Sequence, residues 1–170
     1  MSPVKRWFGR ERPGPDDSRP LPPPADAATL RTALDALIAR VKASSGRLPT
    51  AAVVEIRDIG DRLNELLDHE DRVAGADSGA DTYELVTLAA VIRDYLPTSI
   101  DAYLALPPAF LESHRNAEGE APAEELSTQL RTMEKGVIEL AQAIYSGDAQ
   151  RLSVQGRFLE AKFASSDLDL

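Results

Sequence analysis

The residues best suited to acid–base or metal chemistry in this sequence are two histidines and one stripe of carboxylates. His69 and His114 lie on different segments, and neither belongs to a His-Glu-x-x-His pattern or has a second histidine at metal-ligand spacing. Four acids recur every three or four residues, so a helix would place them on one face: Asp58, Asp61, Glu65 and Asp68. Such a face could hold a hard cation. However, Arg57 and Arg62 flank the stripe, and we favour a charged surface that faces water.

Apart from these residues, the sequence offers little for catalysis. It has no Gly-x-Ser-x-Gly motif, and its small-residue segment around Gly75 and Gly79 lacks the Gly-Lys-Ser/Thr ending of a phosphate-binding loop. It contains no cysteine, which excludes disulfides, thiolate metal sites, iron–sulfur clusters and a cysteine nucleophile. We therefore predict a non-catalytic protein without catalytic, cofactor-binding or metal-binding residues. The alternative is a small metal-dependent hydrolase that uses the carboxylates of the second predicted helix.

The composition predicts one folded domain without a membrane-spanning helix. Of the 170 residues, 43% are hydrophobic and 28% are charged, which is enough apolar material for a core. No apolar stretch approaches the roughly 18 residues of a transmembrane helix, and no secretion signal is recognisable, so we expect a cytoplasmic protein. A net charge of −9 should repel nucleic acid, and we predict no nucleic-acid partner.

Residues 1–25 differ in composition from the rest of the chain. Seven of the 12 prolines fall there, and we predict a disordered tail made of a basic tip (residues 1–12) and a proline-rich spacer (residues 13–25). The basic tip has a net charge of +3, whereas the remainder of the chain sums to −12. The residues of the tip suited to contact with a membrane or a partner are Lys5, Arg6, Trp7, Phe8 and Arg10.

Two interpretations of the basic tip remain open. Attraction of ~1 kcal/mol per basic residue near anionic lipid, together with burial of the two aromatic rings, predicts weak, reversible binding at the inner face of the membrane. The alternative is a tail that makes no contact or that docks on the protein's own body.

Beyond the spacer, apolar residues recur every three or four positions, and no segment alternates with a period of two. We predict an all-α bundle domain over residues 26–164, made of five or six mostly antiparallel helices, and an acidic tail over residues 165–170. The predicted helices cover about residues 26–45, 53–73, 81–96, 98–106, 126–147 and 148–163.

Glycine and proline residues set several of these boundaries. Gly46 is expected to cap the first helix in a left-handed conformation. Gly147 is expected to end the long helix, so that Asp148 caps the last one. Pro97 predicts a kink or a short break, and the Pro107–Pro108 pair predicts the beginning of a long loop.

The longest apolar stripe lies on the fifth predicted helix. Its members are four or three residues apart over more than two heptads: Leu126, Leu130, Met133, Val137, Leu140 and Ile144. This length is short for a coiled coil, so we favour core packing within one chain. The alternative is a seam with a second copy or with a partner helix. In either case we predict a helical interaction or adaptor protein that binds a protein partner, with a homo-oligomer as a further possibility.

A second motif lies where the third and fourth predicted helices meet. Its residues are Tyr95, Leu96, Pro97, Thr98 and Tyr103. The two tyrosines project amphipathic rings from helices on either side of a proline, and Thr98 or Ser99 is suited to cap the second helix. We expect this helix-junction motif to pack a corner of the bundle.

The helix-junction motif also carries a family resemblance. Tyr-Leu-Pro-Thr-Ser-Ile at residues 95–100, the long helix after it, and a final helix with Phe-Leu-Glu-Ala-Lys-Phe at residues 158–163 follow in this order. Together, over about residues 90–165, they resemble bacterial 5-bromo-4-chloroindolyl phosphate hydrolysis (XpaC-like) proteins, which are associated with toxic-anion-resistance (TelA-like) helical proteins. The resemblance implies a helical, non-catalytic role linked to the envelope or to toxic-anion stress. This chain departs from that pattern in its proline-rich spacer and in the loop over residues 113–122.

Overall fold

The computed structural model describes residues 26–74 and 82–166, and within these ranges all regular structure is helical. The all-α prediction is confirmed. The helices are α1 (Ala27–Ala43), α2 (Thr50–Ala74), α3 (Thr82–Ala90), α4 (Leu96–Leu104), α5 (Pro108–Ser113) and α6 (Pro122–Ser166). The basic tip, the spacer, the segment around Gly75 and Gly79 and the last four residues of the predicted acidic tail lie outside the described residues.

Helix α1 begins at an N-cap that the sequence supplies. Asp26 accepts a hydrogen bond from the backbone N–H of Thr29 (2.8 Å) and another from its hydroxyl. These bonds favour the ionised carboxylate, so they hold the pKa of Asp26 below its usual value. The helix therefore has one of its orphan N–H groups satisfied by a side chain, as an aspartate N-cap is expected to do.

The left-handed cap predicted at Gly46 is wrong. Gly119 is the one described residue with a positive φ. Helix α1 ends at Ser44, whose N–H bonds to the carbonyl of Arg40 (3.0 Å), and the carbonyl of Ser44 accepts from Arg47 and Leu48. Because these turns stay right-handed, the chain enters α2 without the conformation that needs glycine.

The ion pairs between helices show which helices run parallel and which run antiparallel. Arg31 near the start of α1 pairs with Asp68 and Asp71 near the end of α2, so these two helices run antiparallel. Helix α2 also packs against α6, and there the pairs Glu55–Arg131 and His69–Asp148 advance together along both helices. Neighbours α2 and α6 therefore run in the same direction.

The remaining sides of the bundle are formed by α1 with the α3–α4 segment, and by α4 with α6. Arg40 of α1 pairs with Asp101 of α4 (2.9 Å), and the guanidinium of Arg47, just after α1, donates to the carbonyl of Leu104. The four long elements α1, α2, the α3–α4 segment and α6 thus alternate in direction along the chain, as predicted.

The core lies where these helices face each other. Fully buried side chains come from α1, α2, α3, α4, the π-helical turn before α4, and α6; the largest of them include Leu30, Leu34, Ile56, Ile59, Leu63, Leu88, Ile92, Leu96, Ile100 and Leu130. Each such side chain contributes about 1.5–3 kcal/mol by leaving water. The apolar stripe of α6 is part of this core, with Leu140 half-buried and the other five residues buried.

Pro97 does not break the helix. The chain stays helical from α3 to α4 through a π-helical turn, Val91–Tyr95, in which the N–H of Leu96 bonds back five residues to the carbonyl of Val91. Proline lacks an N–H, and its ring clashes with the carbonyl four residues earlier. A π turn widens the helix at this point, so the predicted break is replaced by a local change in hydrogen-bond pattern.

Two further boundaries differ from the prediction. The loop expected after the Pro107–Pro108 pair contains α5, which Pro108 opens at its first position, a place where a missing N–H costs nothing. The expected end of the long helix at Gly147 is also wrong, because α6 continues through Gly147 and Asp148 to Ser166. One 45-residue helix replaces the two that the sequence predicted.

Candidate functional site

A partly buried polar contact joins His69 of α2 to Asp148 of α6. The Nε2 atom of His69 lies 2.5 Å from Oδ2 of Asp148, with side chains 18% and 32% exposed. The ring of Tyr145, one turn earlier on α6, meets the imidazole edge to face, with centroids 5.1 Å apart and planes at 85°. A half-buried hydrogen bond and an aromatic contact therefore fix α6 against the last turns of α2.

Sequence reasoning did not bring these three residues together. His69 and Asp148 are 79 residues apart, and Asp148 was expected to begin a separate helix. A histidine bonded to a carboxylate is also the orienting part of a hydrolytic triad. In this protein the His69–Asp148 contact joins helix α2 to helix α6.

The carboxylate stripe of α2 divides into two parts. Asp58, Asp61 and Glu65 are exposed to solvent. Asp68 instead pairs with Arg31, which also binds Asp71 (2.9 Å). The hydrogen bond that Arg31 donates to Asp71, followed by the attraction of both carboxylates, raises the pKa of Arg31. Within residues 26–74 and 82–166, no three histidine or acidic side chains come close enough to hold a metal ion.

The helix-junction motif mostly faces inwards. Leu96 and Tyr103 are buried, Tyr95 and Pro97 are half-buried, and Thr98 is exposed on the first turn of α4. Thr98 does not cap α4, because the preceding π turn leaves no helix end there. The motif therefore contributes to the core, and its buried residues offer little surface to a partner.

The other predicted contact residues, Lys5, Arg6, Trp7, Phe8 and Arg10, belong to the basic tip and lie outside the described residues. The tip is joined through the spacer to the start of α1, which lies at the same end of the bundle as His69 and Asp148. In the described ranges, no helix combines the length and the apolar character needed to cross a membrane.

Helix α6 extends past its neighbour α2. His69 lies five residues before the end of α2, whereas its partner Asp148 lies 18 residues before the end of α6. At 1.5 Å per residue, α6 thus runs about 13 residues, or roughly 20 Å, beyond the level at which α2 ends. We call this part, residues 154–166, the α6 extension. Arg157 within it is exposed.

Comparison of the chain with family models, with curated proteins and with solved structures finds no match in any of the three.

Proposed function

We propose that this chain is a non-catalytic helical interaction protein that binds a protein partner through the α6 extension. The observation that carries the proposal is the length of α6, which exceeds that of α2 by 20 residues (45 against 25). An isolated helix of this size is marginal in water, so a partner that packs against the extension would stabilise it. Recognition of one helix by the groove of another protein is a common mode of binding.

The rest of the bundle supports a scaffolding role for the described helices. The apolar stripe of α6, between residues 126 and 144, packs in the core and is not available to a partner. Among the residues whose exposure the structure describes, the large hydrophobic side chains that remain exposed lie on four different helices: Val54, Val86, Phe110 and Tyr145. Single exposed side chains of this kind are ordinary on a protein surface. The extension is therefore the part of α6 left for a partner.

The basic tip supplies a second, weaker contact in this proposal. Its net charge of +3 favours an anionic membrane surface, whereas the rest of the chain, at −12, disfavours it. Attraction of about 1 kcal/mol per basic residue gives binding that is easily reversed. The tip then acts as a peripheral hook at the inner face of the membrane while the α6 extension selects the partner.

The proposed cellular setting comes from the resemblance described above. Residues 90–165 resemble XpaC-like proteins, so we propose that the partner belongs to an envelope or toxic-anion stress response. The long helix and the final helix of that resemblance both fall within α6, which also carries the extension.

A cross-linking experiment in the host cell tests the proposal. The sequence has no cysteine, so a photoreactive thiol reagent can be attached at one place, Arg157→Cys in the extension or Gln142→Cys on the exposed surface of the packed part of α6. We expect a discrete cross-linked protein from position 157 and none from position 142. The purified product must then bind the unmodified full-length chain in a calorimeter. Equal cross-linking from both positions, or no binding by the purified product, would contradict a partner site on the extension.

A further inference from the structure

Three features of α6 meet within one turn of the helix. Ser146 and Gly147 are neighbours inside continuous helix, and Asp148, the next residue, is bonded to His69 of α2. Helix α2 ends five residues after His69. This turn therefore lies near the end of the part of α6 that packs along α2, six residues before the α6 extension begins.

A larger residue would fit at position 147, so steric crowding does not explain the glycine there. A Cβ added at Gly147 would meet nothing within 4 Å, whereas one added at Gly60, where α1 and α2 approach closely, would lie 3.0 Å from Ile38. Relative to alanine, glycine lowers the equilibrium constant for helix formation at its position about fivefold. What glycine supplies at position 147 is backbone freedom, and sharp bends in helices are found at Gly/Ser pairs.

Asp148 can stabilise two conformations of this turn. In the structure its carboxylate bonds to His69 and holds α6 against α2. Aspartate is also among the best N-cap residues, because its side chain accepts bonds from the N–H groups that a helix start leaves unpaired. If α6 opens at Gly147, Asp148 is in place to cap the helix that follows. The same residue therefore compensates for the hydrogen bonds that bending would break.

We propose that Ser146–Gly147 is a hinge in α6 and that the His69–Asp148 contact is the latch that holds this hinge straight. With the latch closed, the α6 extension continues the axis of the packed part of the helix. With the latch open, residues 122–145 stay in the core and residues 148–166, which include the extension, swing away. The hinge would control the direction in which the extension points, and it does not depend on which partner the extension binds.

The distance between two spin labels on α6 tests the hinge in the full-length chain. Thr132 and Arg157 are exposed and lie on opposite sides of Gly147, and the absence of native cysteine allows both to be labelled after substitution by cysteine. A straight helix places their backbones about 37 Å apart. We expect one distance in the otherwise unchanged protein and an additional shorter distance in His69→Ala. Adding Gly147→Ala to His69→Ala should reduce the shorter population about fivefold.

Matched variants separate a hinge from a general effect on the helix. Gly136 also lies between the labels, and a Cβ there also meets nothing within 4 Å, so Gly136→Ala should leave the distances of His69→Ala unchanged. His114→Ala removes a histidine from another segment and should keep the single long distance. Asp148→Ala opens the latch and removes the cap, so its shorter population should be present but smaller than that of His69→Ala. Circular dichroism checks that each variant is folded.

Two results would overturn the hinge. One is a distance distribution in both His69→Ala and Asp148→Ala that is identical to that of the parent protein, which would show that the contact holds nothing straight. The other is an equal effect of Gly136→Ala and Gly147→Ala, which would place the flexibility in α6 as a whole.

Discussion

The close approach of α1 and α2 at Gly60 gives a prediction whose size can be worked out from the structure. A Cβ added at Gly60 would lie 3.0 Å from Cδ1 of Ile38, 3.6 Å from Cγ1 of Ile38 and 4.0 Å from Cδ1 of Leu34. Only the first of these distances is shorter than ordinary van der Waals contact. Because Cδ1 is the end of a half-buried side chain, we expect overpacking at the low end of its range, about 1 kcal/mol.

This cost opposes the gain in helix propensity. Replacing glycine by alanine inside a helix stabilises it by about 1 kcal/mol. The two terms nearly cancel, so Gly60→Ala should change the free energy of unfolding by less than about 0.5 kcal/mol. Ile38→Val removes Cδ1 at a cost of about 0.5–1.5 kcal/mol. In that background the nearest atom is 3.6 Å away, and Gly60→Ala should then stabilise the protein by about 1 kcal/mol.

Urea unfolding of the four chains in this double-mutant cycle measures the coupling, which should be about 1 kcal/mol between the two positions. Gly136→Ala is the matched control, since a Cβ there meets nothing within 4 Å. It should stabilise the protein by the same amount with isoleucine or valine at position 38. If Gly60→Ala in the parent protein stabilises as much as Gly136→Ala does, or gains nothing when Cδ1 is absent, the steric argument is wrong.

Three further predictions concern the core, the first helix cap and the basic tip. Leu130→Ala should lower the free energy of unfolding by about 2–5 kcal/mol in urea, whereas the exposed Val86→Ala should change it by less than about 0.5 kcal/mol; similar effects would refute the assigned core. Because the pKa of Asp26 is lowered in the folded protein, its stabilising contribution is present above the unfolded-state pKa and is lost as the pH falls through the folded-state value. Asp26→Asn should therefore flatten the loss of stability between neutral and acidic pH in thermal melts, and an unchanged profile would contradict the cap. Arg6→Glu should weaken co-sedimentation with anionic vesicles, whereas Arg115→Glu, an equal change of charge on an exposed residue of the bundle, should have little effect; equal loss would argue against a contact through the tip.

The spacing of apolar residues was enough to predict the start of α1 and the buried stripe of α6. The apolar spacing predicted a helix from about residue 26, and α1 begins at Ala27 with Asp26 as its N-cap. The stripe from Leu126 to Ile144 was assigned to the core on its length alone, and the structure places it there. In both cases the deciding residues lie within or next to the helix itself.

The wrong prediction of a helix end at Gly147 depended on contacts from elsewhere in the chain. Gly147 followed by Asp148 has the local pattern of a helix end and a new cap, but packing along α2 and the bond to His69 support a continuous helix there. The His69–Asp148 contact itself could not be predicted, because it requires α2 and α6 to lie side by side in the same direction. A kink or a short break was expected at Pro97, and the chain instead stays helical there through one wider π turn.

The parallel pairing of α2 with α6 has a consequence for the order of folding. The ion pairs that join α1 to α2 link residues 37 and 40 positions apart, whereas the contacts that join α2 to α6 close segments of 76 and 79 residues. Longer segments lose more chain entropy on closure, and native contacts of large sequence separation slow folding. The helical hairpin of α1 and α2 should therefore be formed in the rate-limiting transition state, with φ-values higher than those of α6. Helix α6 should pack against this hairpin after the transition state.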